Sequence, residues 1–182
     1  MRFARLAGLL LVGCGGIARI DGSDPMSPKE LVDPLFEAFA EDPAESLPIT
    51  GPVNLDVDIF RGDVLVRRAE GLESPRLITT RRADFGAGRS EDGFLALDDV
   101  QIKARVESGP EGPILVIKAT SGHPDAAQMR TDLVIELPEP SGVRVRSGFG
   151  HIEVRGCVGP IDALTNEGNV LADRGGSVRL VA

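Results

Sequence analysis

From Pro52 onward, apolar and polar positions alternate with a period of two. Val53, Leu55, Val57 and Ile59 are interleaved with Asn54, Asp56 and Asp58, the pattern of a strand that buries one face. Gly62-Asp63-Val64-Leu65-Val66 follows across a short turn. Leu95 and Leu97, then Val100, Ile102, Ala104 and Val106, alternate again. Ile114-Leu115-Val116-Ile117 is an unbroken apolar run behind Gly112-Pro113, which suits a strand covered on both faces. Leu133-Val134-Ile135-Glu136-Leu137 stops at Pro138, and Val143 and Val145 lead into the final stretch. No helical period is expected after Gly51.

A short repeat closes the chain. Gly150-His151-Ile152-Glu153-Val154 and Gly168-Asn169-Val170-Leu171-Ala172 share the pattern Gly-x-Ile/Val-x-Val/Ala, 18 residues apart, with Gly62 to Val66 as a distant third copy. Each late copy is followed by a glycine-bearing corner and another alternating piece, Ile161-Asp162-Ala163 and then Val178-Arg179-Leu180. Strand and corner at a fixed interval is how a β-solenoid coil is written. In that arrangement Ile152 and Val170 stack inward at the inter-strand spacing of about 4.8 Å. Arg155 then lies over Asp173 on the outside. The competing arrangement is a pair of ordinary sandwich hairpins.

The run Val134-Ile135-Glu136-Leu137-Pro138, then Val143-Arg144-Val145-Arg146-Ser147-Gly148-Phe149-Gly150-His151-Ile152-Glu153-Val154-Arg155-Gly156, resembles the bacterial putative-adhesin domain of unknown function. That family has a strand ending in Leu/Val-Pro, then a coil in which alternating valines lead to a Gly-x-Ile-x-Val segment. Glycine-punctuated rungs follow. The resemblance spans about residues 52 to 182 and is shorter than the family, which usually adds more rungs. It implies a β-rich, solenoid-like fold in the cell envelope and brings no catalytic residues.

The amino-terminal part reads differently. Met1-Arg2-Phe3-Ala4-Arg5 is basic, and the apolar run Leu6 to Val12 is seven residues long, far short of the roughly 20 that span a bilayer. It ends in Leu11-Val12-Gly13-Cys14, which resembles the bacterial lipobox. The resemblance implies that Cys14 carries a diacylglyceryl group and an acylated amino terminus. Several acyl chains, at about 0.8 kcal/mol per buried CH₂, would hold the domain to a membrane. Gly15 stands where the family's inner-membrane retention signal is usually Asp, so a Gram-negative host would send the protein to its outer membrane. An ordinary signal peptide cut later, or a buried amino-terminal helix, is the alternative. Prolines 25, 28, 34, 43, 48 and 52, and eight acidic residues against Arg19 and Lys29 over 15–50, make an acidic tether. Within it Asp33 as N-cap, Pro34 at the first position and Leu35-Phe36-Glu37-Ala38-Phe39-Ala40 predict a short helix over 34–41.

Composition narrows the function classes. The chain of 182 residues has no Trp or Tyr, seven Phe and a formal charge of −8, with 17 Arg among its 20 basic residues. A phosphate-neutralising surface is not expected, and aromatic platforms for bases or sugars are scarce. His123 lies in a turn sequence, Ser121-Gly122-His123-Pro124-Asp125, and His151 on an outward position; both read as surface histidines. Cys157 stands among valines and reads as a small core residue. Glu91-Asp92 and Asp98-Asp99 fit no calcium loop and read as solvated turns. Arg61-Gly62-Asp63 spells an integrin-recognition tripeptide, but its glycine is accounted for by the turn. Glu153, Asp162 and Asp173 face outward without forming an acid/base pair.

These readings together predict an all-β protein: a curled sheet leading into a short β-solenoid, preceded by a signal peptide and a proline- and acid-rich tether. The divisions are a lipoprotein signal peptide over 1–13, the tether over 14–50 and an adhesin-like β-domain over 51–182. The expected function is a lipid-anchored cell-envelope protein with a non-enzymatic structural or binding domain, without cofactor or metal and without nucleic acid. Its partners would be the membrane through the anchor, and an envelope protein or a second copy through the carboxyl-terminal edge. The alternatives are a β-helix enzyme acting on carbohydrate and an accessory lipoprotein that binds an envelope protein through the tether helix.

Overall fold

The computed structural model describes residues 37–86, 88–173 and 176–182. The signal peptide, Cys14 and the tether as far as residue 36 lie outside the described residues. The described chain is all-β apart from one short helix and two single turns of 3-10 helix. Its strands are β1 (Glu37–Ser46), β2 (Val53–Ile59), β3 (Val64–Arg68), β4 (Arg76–Asp84), β5 (Val100–Gly109), β6 (Gly112–Ser121), β7 (Met129–Leu137), β8 (Pro140–Ser147), β9 (Ile152–Arg155), β10 (Ile161–Thr165), β11 (Val170–Asp173) and β12 (Val178–Val181). They form two mixed six-stranded sheets, ordered β1-β4-β7-β3-β9-β11 and β12-β10-β8-β2-β6-β5.

The centre of both sheets is parallel. In the first, β3 lies between β7 and β9, and β11 extends β9. In the second, β6, β2, β8, β10 and β12 follow one another. Antiparallel strands close one end of each sheet: β4 and β1 on β7, and β5 on β6. Inward positions line up across strands into apolar columns. Leu115, Leu55, Val143 and Ile161 form one in the second sheet, facing Leu133, Val64, Ile152 and Val170 in the first. The buried members of these columns belong to one continuous core. Such alignment follows from the period of two: with parallel pairing in register, every second side chain meets its equivalent on the next strand.

The spacing of the glycine repeat sets the register. Ile152 pairs with Val170, and Val64 pairs with Ile152, so all three copies of the repeat are stacked neighbours. Arg155 pairs with Asp173 in register. Their side chains take other partners: Arg155 Nε donates to Glu153 at 2.7 Å, and Asp173 Oδ1 accepts the Gly156 N–H at 2.7 Å.

Three expectations are corrected. The helix over 34–41 is strand in its described part, because β1 begins at Glu37 and pairs with β4 from Glu37↔Asp84 to Ser46↔Arg76. Local capping signals lose here to a long edge pairing that buries Ala38, and the register shift between Asp42 and Glu45 takes up Pro43, which has no N–H to give a ladder. The boundary at 51 therefore falls too late: β1 belongs to the sheet, and Leu47 and Ile49 are buried in the main core. Finally, a helix does occur after Gly51. This helix, α1 (Ser90–Ala96), carries Glu91 and Asp92 in its first turn and precedes Leu97 and Val100, which cover a second cluster with Ala38, Ala83, Phe85 and Met129. At seven residues it is too short to display a period.

Candidate functional site

Stacking places equivalent residues of distant segments side by side, and this builds the outer surface of the first sheet near the corners. Register carries Thr131, within β7, and Gly62, Gly150 and Gly168, just before β3, β9 and β11, into one row. The glycines are required there. Gly62, Gly150 and Gly168 have φ of 134°, 130° and 138°, and a Cβ on each would lie 2.0–2.1 Å from the carbonyl oxygen of the residue stacked beneath it. Hydroxyls support the same corners. Ser147 Oγ lies 3.2 Å from the Gly62 oxygen, and Thr165 Oγ1 lies 3.1 Å from the Gly150 oxygen.

Beside the glycine row runs a ladder of side-chain acceptors. Asp132 Oδ1 accepts the Asp63 N–H at 3.0 Å. Asp63 Oδ1 accepts the His151 N–H at 2.7 Å. His151 Nδ1 accepts the Asn169 N–H at 3.1 Å. Each unit thus satisfies a backbone donor of the next at a corner where the regular ladder is interrupted. This explains His151, which is exposed yet holds a fixed role, and it occupies the carboxylate of Asp63. Arg61-Gly62-Asp63 is accordingly a structural corner.

On the other side of the glycine row, register aligns Phe39, Arg82, Arg130, Arg61, Phe149 and Glu167, one from each strand or its corner. Three consecutive members are arginines, spaced by one inter-strand step of about 4.8 Å. Arg82 and Arg130 share the Asp132 carboxylate, at 3.3 and 3.5 Å. Arg61 donates to the Ala127 carbonyl at 2.6 Å and lies over the Phe149 ring at 5.2 Å. Arg82 lies over Phe39 at 5.4 Å, so an aromatic ring borders the arginines on either side. Two grooves open along this row, of about 530 and 330 Å³, and both are lined by Arg61 and Arg130.

At the other end of the same strands, Glu136 is only 3% exposed and lies between Arg67 and Arg76, which each form an ion pair with it. Burial pushes the Glu136 carboxyl up, but the hydrogen bonds and charges of the two guanidiniums outweigh it and hold the group below its ordinary value of 4.5. This cluster ties β3 and β4 to β7.

The remaining sequence candidates are not gathered into a site. Glu153 and Asp173 lie on the first sheet and Asp162 on the second. His123 is half-buried rather than free on the surface: its ring meets Phe85 at 5.4 Å, and its Nδ1 accepts the Asp125 N–H. Cys157 is fully buried and burial pushes its thiol up, as suits a core residue. Glu91 and Asp92 lie in the first turn of α1, and Asp98 and Asp99 in a 3-10 turn. No cluster with metal-binding composition occurs among the described residues, and no helix among them is long and apolar enough to cross a membrane.

No family model and no curated protein matches the chain. Solved structures do. A putative cell adhesion protein from Clostridium sporogenes is 10% identical, with a TM-score of 0.43 over 79% of this chain and 99% of that one. A putative adhesin from Parabacteroides merdae is also 10% identical, with a TM-score of 0.30 over 78% of this chain and 63% of that one.

Proposed function

We propose that the chain is a lipid-anchored cell-envelope protein whose β-domain, a short two-sided β-solenoid, binds a partner without transforming it. Anchoring rests on Leu11-Val12-Gly13-Cys14 behind a basic segment, with Cys14 as the acylated residue and the outer membrane as destination in a Gram-negative host. Radiolabelled palmitate enters the wild type and not Cys14→Ser; equal labelling of both refutes the anchor.

The binding reading rests on one observation: three arginines stand side by side across β4, β7 and the corner before β3, in a chain of formal charge −8. One carboxylate, Asp132, serves two of them. Guanidiniums lined up along a groove suit an extended anionic surface, because each presents a planar fork of donors. The assay is retention of the full chain on sulfated dextran over a salt gradient. The double variant Arg61→Gln/Arg130→Gln should elute at lower salt, since each lost cation weakens a screened attraction. Arg105→Gln, whose Arg pairs with Glu107 on β5 of the other sheet, should elute with the wild type. Equal elution of all three overturns the assignment of the row.

A further inference from the structure

The outer face of the second sheet carries a charged row whose signs alternate. Register sets Asp56 of β2, Arg144 of β8, Asp162 of β10 and Arg179 of β12 side by side. Leu55, Val57, Val143, Val145, Ile161 and Ala163, next to them in the chain, are buried, so by alternation the row points outward. Its signs run minus, plus, minus, plus at one inter-strand step of about 4.8 Å. Taken from the other end they run plus, minus, plus, minus, so the row is the complement of its own reverse. The charges are also loosely held within the chain. Arg144 Nη1 stands 3.9 Å from Asp56, and Arg179 Nε stands 3.9 Å from Asp162, both beyond hydrogen-bonding distance. On the first sheet, by contrast, Arg155 bonds Glu153 at 2.7 Å. The Arg144 and Arg179 side chains are 48% and 71% exposed, and their donor forks face solvent.

We propose that this face pairs with the same face of a second copy, about a two-fold axis that runs parallel to the strands and passes between β8 and β10. Such an axis presents the row to itself in reverse order, and the reverse is the set of signs that this row needs. An unrelated protein would have to match it by coincidence, whereas a second copy matches it by symmetry. Asp56 then meets Arg179 of the second copy and Arg144 meets its Asp162, each pair occurring twice. The flanking positions agree with the same axis. On one side Gly142 is buried in the floor of a groove of about 250 Å³, and the exposed Pro160 stands beside it. The axis sets Pro160 of each copy over Gly142 of the other. On the other side Arg146 meets Leu164 and Asp58 meets Val181, so no like charges face. An axis along the stack fails, because it lays every strand on its own copy and sets Asp against Asp and Arg against Arg. Four strands of about five residues give a footprint of roughly 300 Å² per copy, below the roughly 800 Å² of a stable partner. The dimer is therefore weak and held by charge. It leaves the arginine row free, since that row lies on the other sheet.

The test uses the full chain, ¹⁵N-labelled in mild detergent. With rising protein concentration in about 0.05 M salt, the amide signals of β8 and β10 should broaden while those of β1 and β4 stay sharp, and about 0.5 M salt should reverse the change. Sedimentation then compares two charge reversals. Arg144→Asp alone and Asp162→Arg alone should each self-associate about tenfold more weakly than the wild type, because each sets two like pairs across the axis. Mixed one to one, the two variants should associate as the wild type does, since their altered rows complement each other at all four positions. If the four charges served only to pair within their own sheet, the mixture would do no better than its components. That result overturns the proposal, and so does a wild type that stays monomeric, broadening confined to other strands, or self-association of either variant equal to the wild type. The wild-type spectra carry the test even where a variant fails to fold.

Discussion

Replacing Gly150 by alanine tests whether the corners hold the stack together. The residue has φ of 130°, and an added Cβ would lie 2.1 Å from the Gly62 carbonyl oxygen. No side chain can move aside, because the obstacle is backbone. Relief requires β9 to lift from β3, at the expense of Gly62 N–H to Phe149 O at 2.7 Å, Val64 N–H to His151 O at 2.8 Å and His151 N–H to Asp63. A left-handed non-glycine residue costs about 1–2 kcal/mol, and three weakened hydrogen bonds add about 1 kcal/mol each. Together these reach about 4–5 kcal/mol, a change of about a thousandfold in the folding constant. Gly71 is the control: its φ is 80°, but a Cβ there meets nothing within 4 Å. Gly71→Ala should lose only the conformational part, about 1–2 kcal/mol. Urea denaturation followed by circular dichroism measures both. Equal losses would refute the reasoning, since the collision with Gly62 would then carry no weight.

Two further outcomes follow from the packing. Because the folded-state pKa of Glu136 lies below its ordinary 4.5, its contribution is complete above that value and is lost as pH falls through the lowered one; Glu136→Gln should destabilise at pH 7 by about 1–3 kcal/mol and flatten the acid limb of a stability–pH curve, and an unchanged limb would place the acid sensitivity elsewhere. A chain beginning at residue 52 lacks β1 and the buried Leu47 and Ile49. It should lose about 3 kcal/mol or more relative to one beginning at 37, and equal melting temperatures would restore the later boundary.

The parallel stack was legible because its code is local. Gly-x-Ile/Val-x-Val/Ala at 150 and 168 fixes both the turn and the inward residues, so the pairing of Ile152 with Val170 follows from the 18-residue spacing, while the place of the distant copy at 62 beside them is set by the fold. The strand at 37–46 was hidden because its conformation is decided by β4, some forty residues away, while Asp33-Pro34 and the leucine and phenylalanines beyond them satisfy local helix rules. Asp63, His151 and Asn169 share a position and the ability to accept a hydrogen bond, but not an identity. The ladder was therefore visible only as a polar residue after each glycine. The arginine row was beyond reach of any window: Arg61, Arg82 and Arg130 meet because β4 and β7 are laid onto β3 from far along the chain.

The closure of one end by β1 and β4, with β12 at the other, has a mechanical consequence. Residue 37 starts the strand at one border of the first sheet, and residue 182 follows the strand at the opposite border of the second. The two points are separated by about six inter-strand steps, roughly 29 Å along the stack. Tension between them acts across the strands and loads the backbone hydrogen bonds of a border strand one after another. The domain would yield by peeling from a border at modest force, and on the β11 side the Gly168 corner and the Asn169 N–H bond to His151 would be among the first contacts to go.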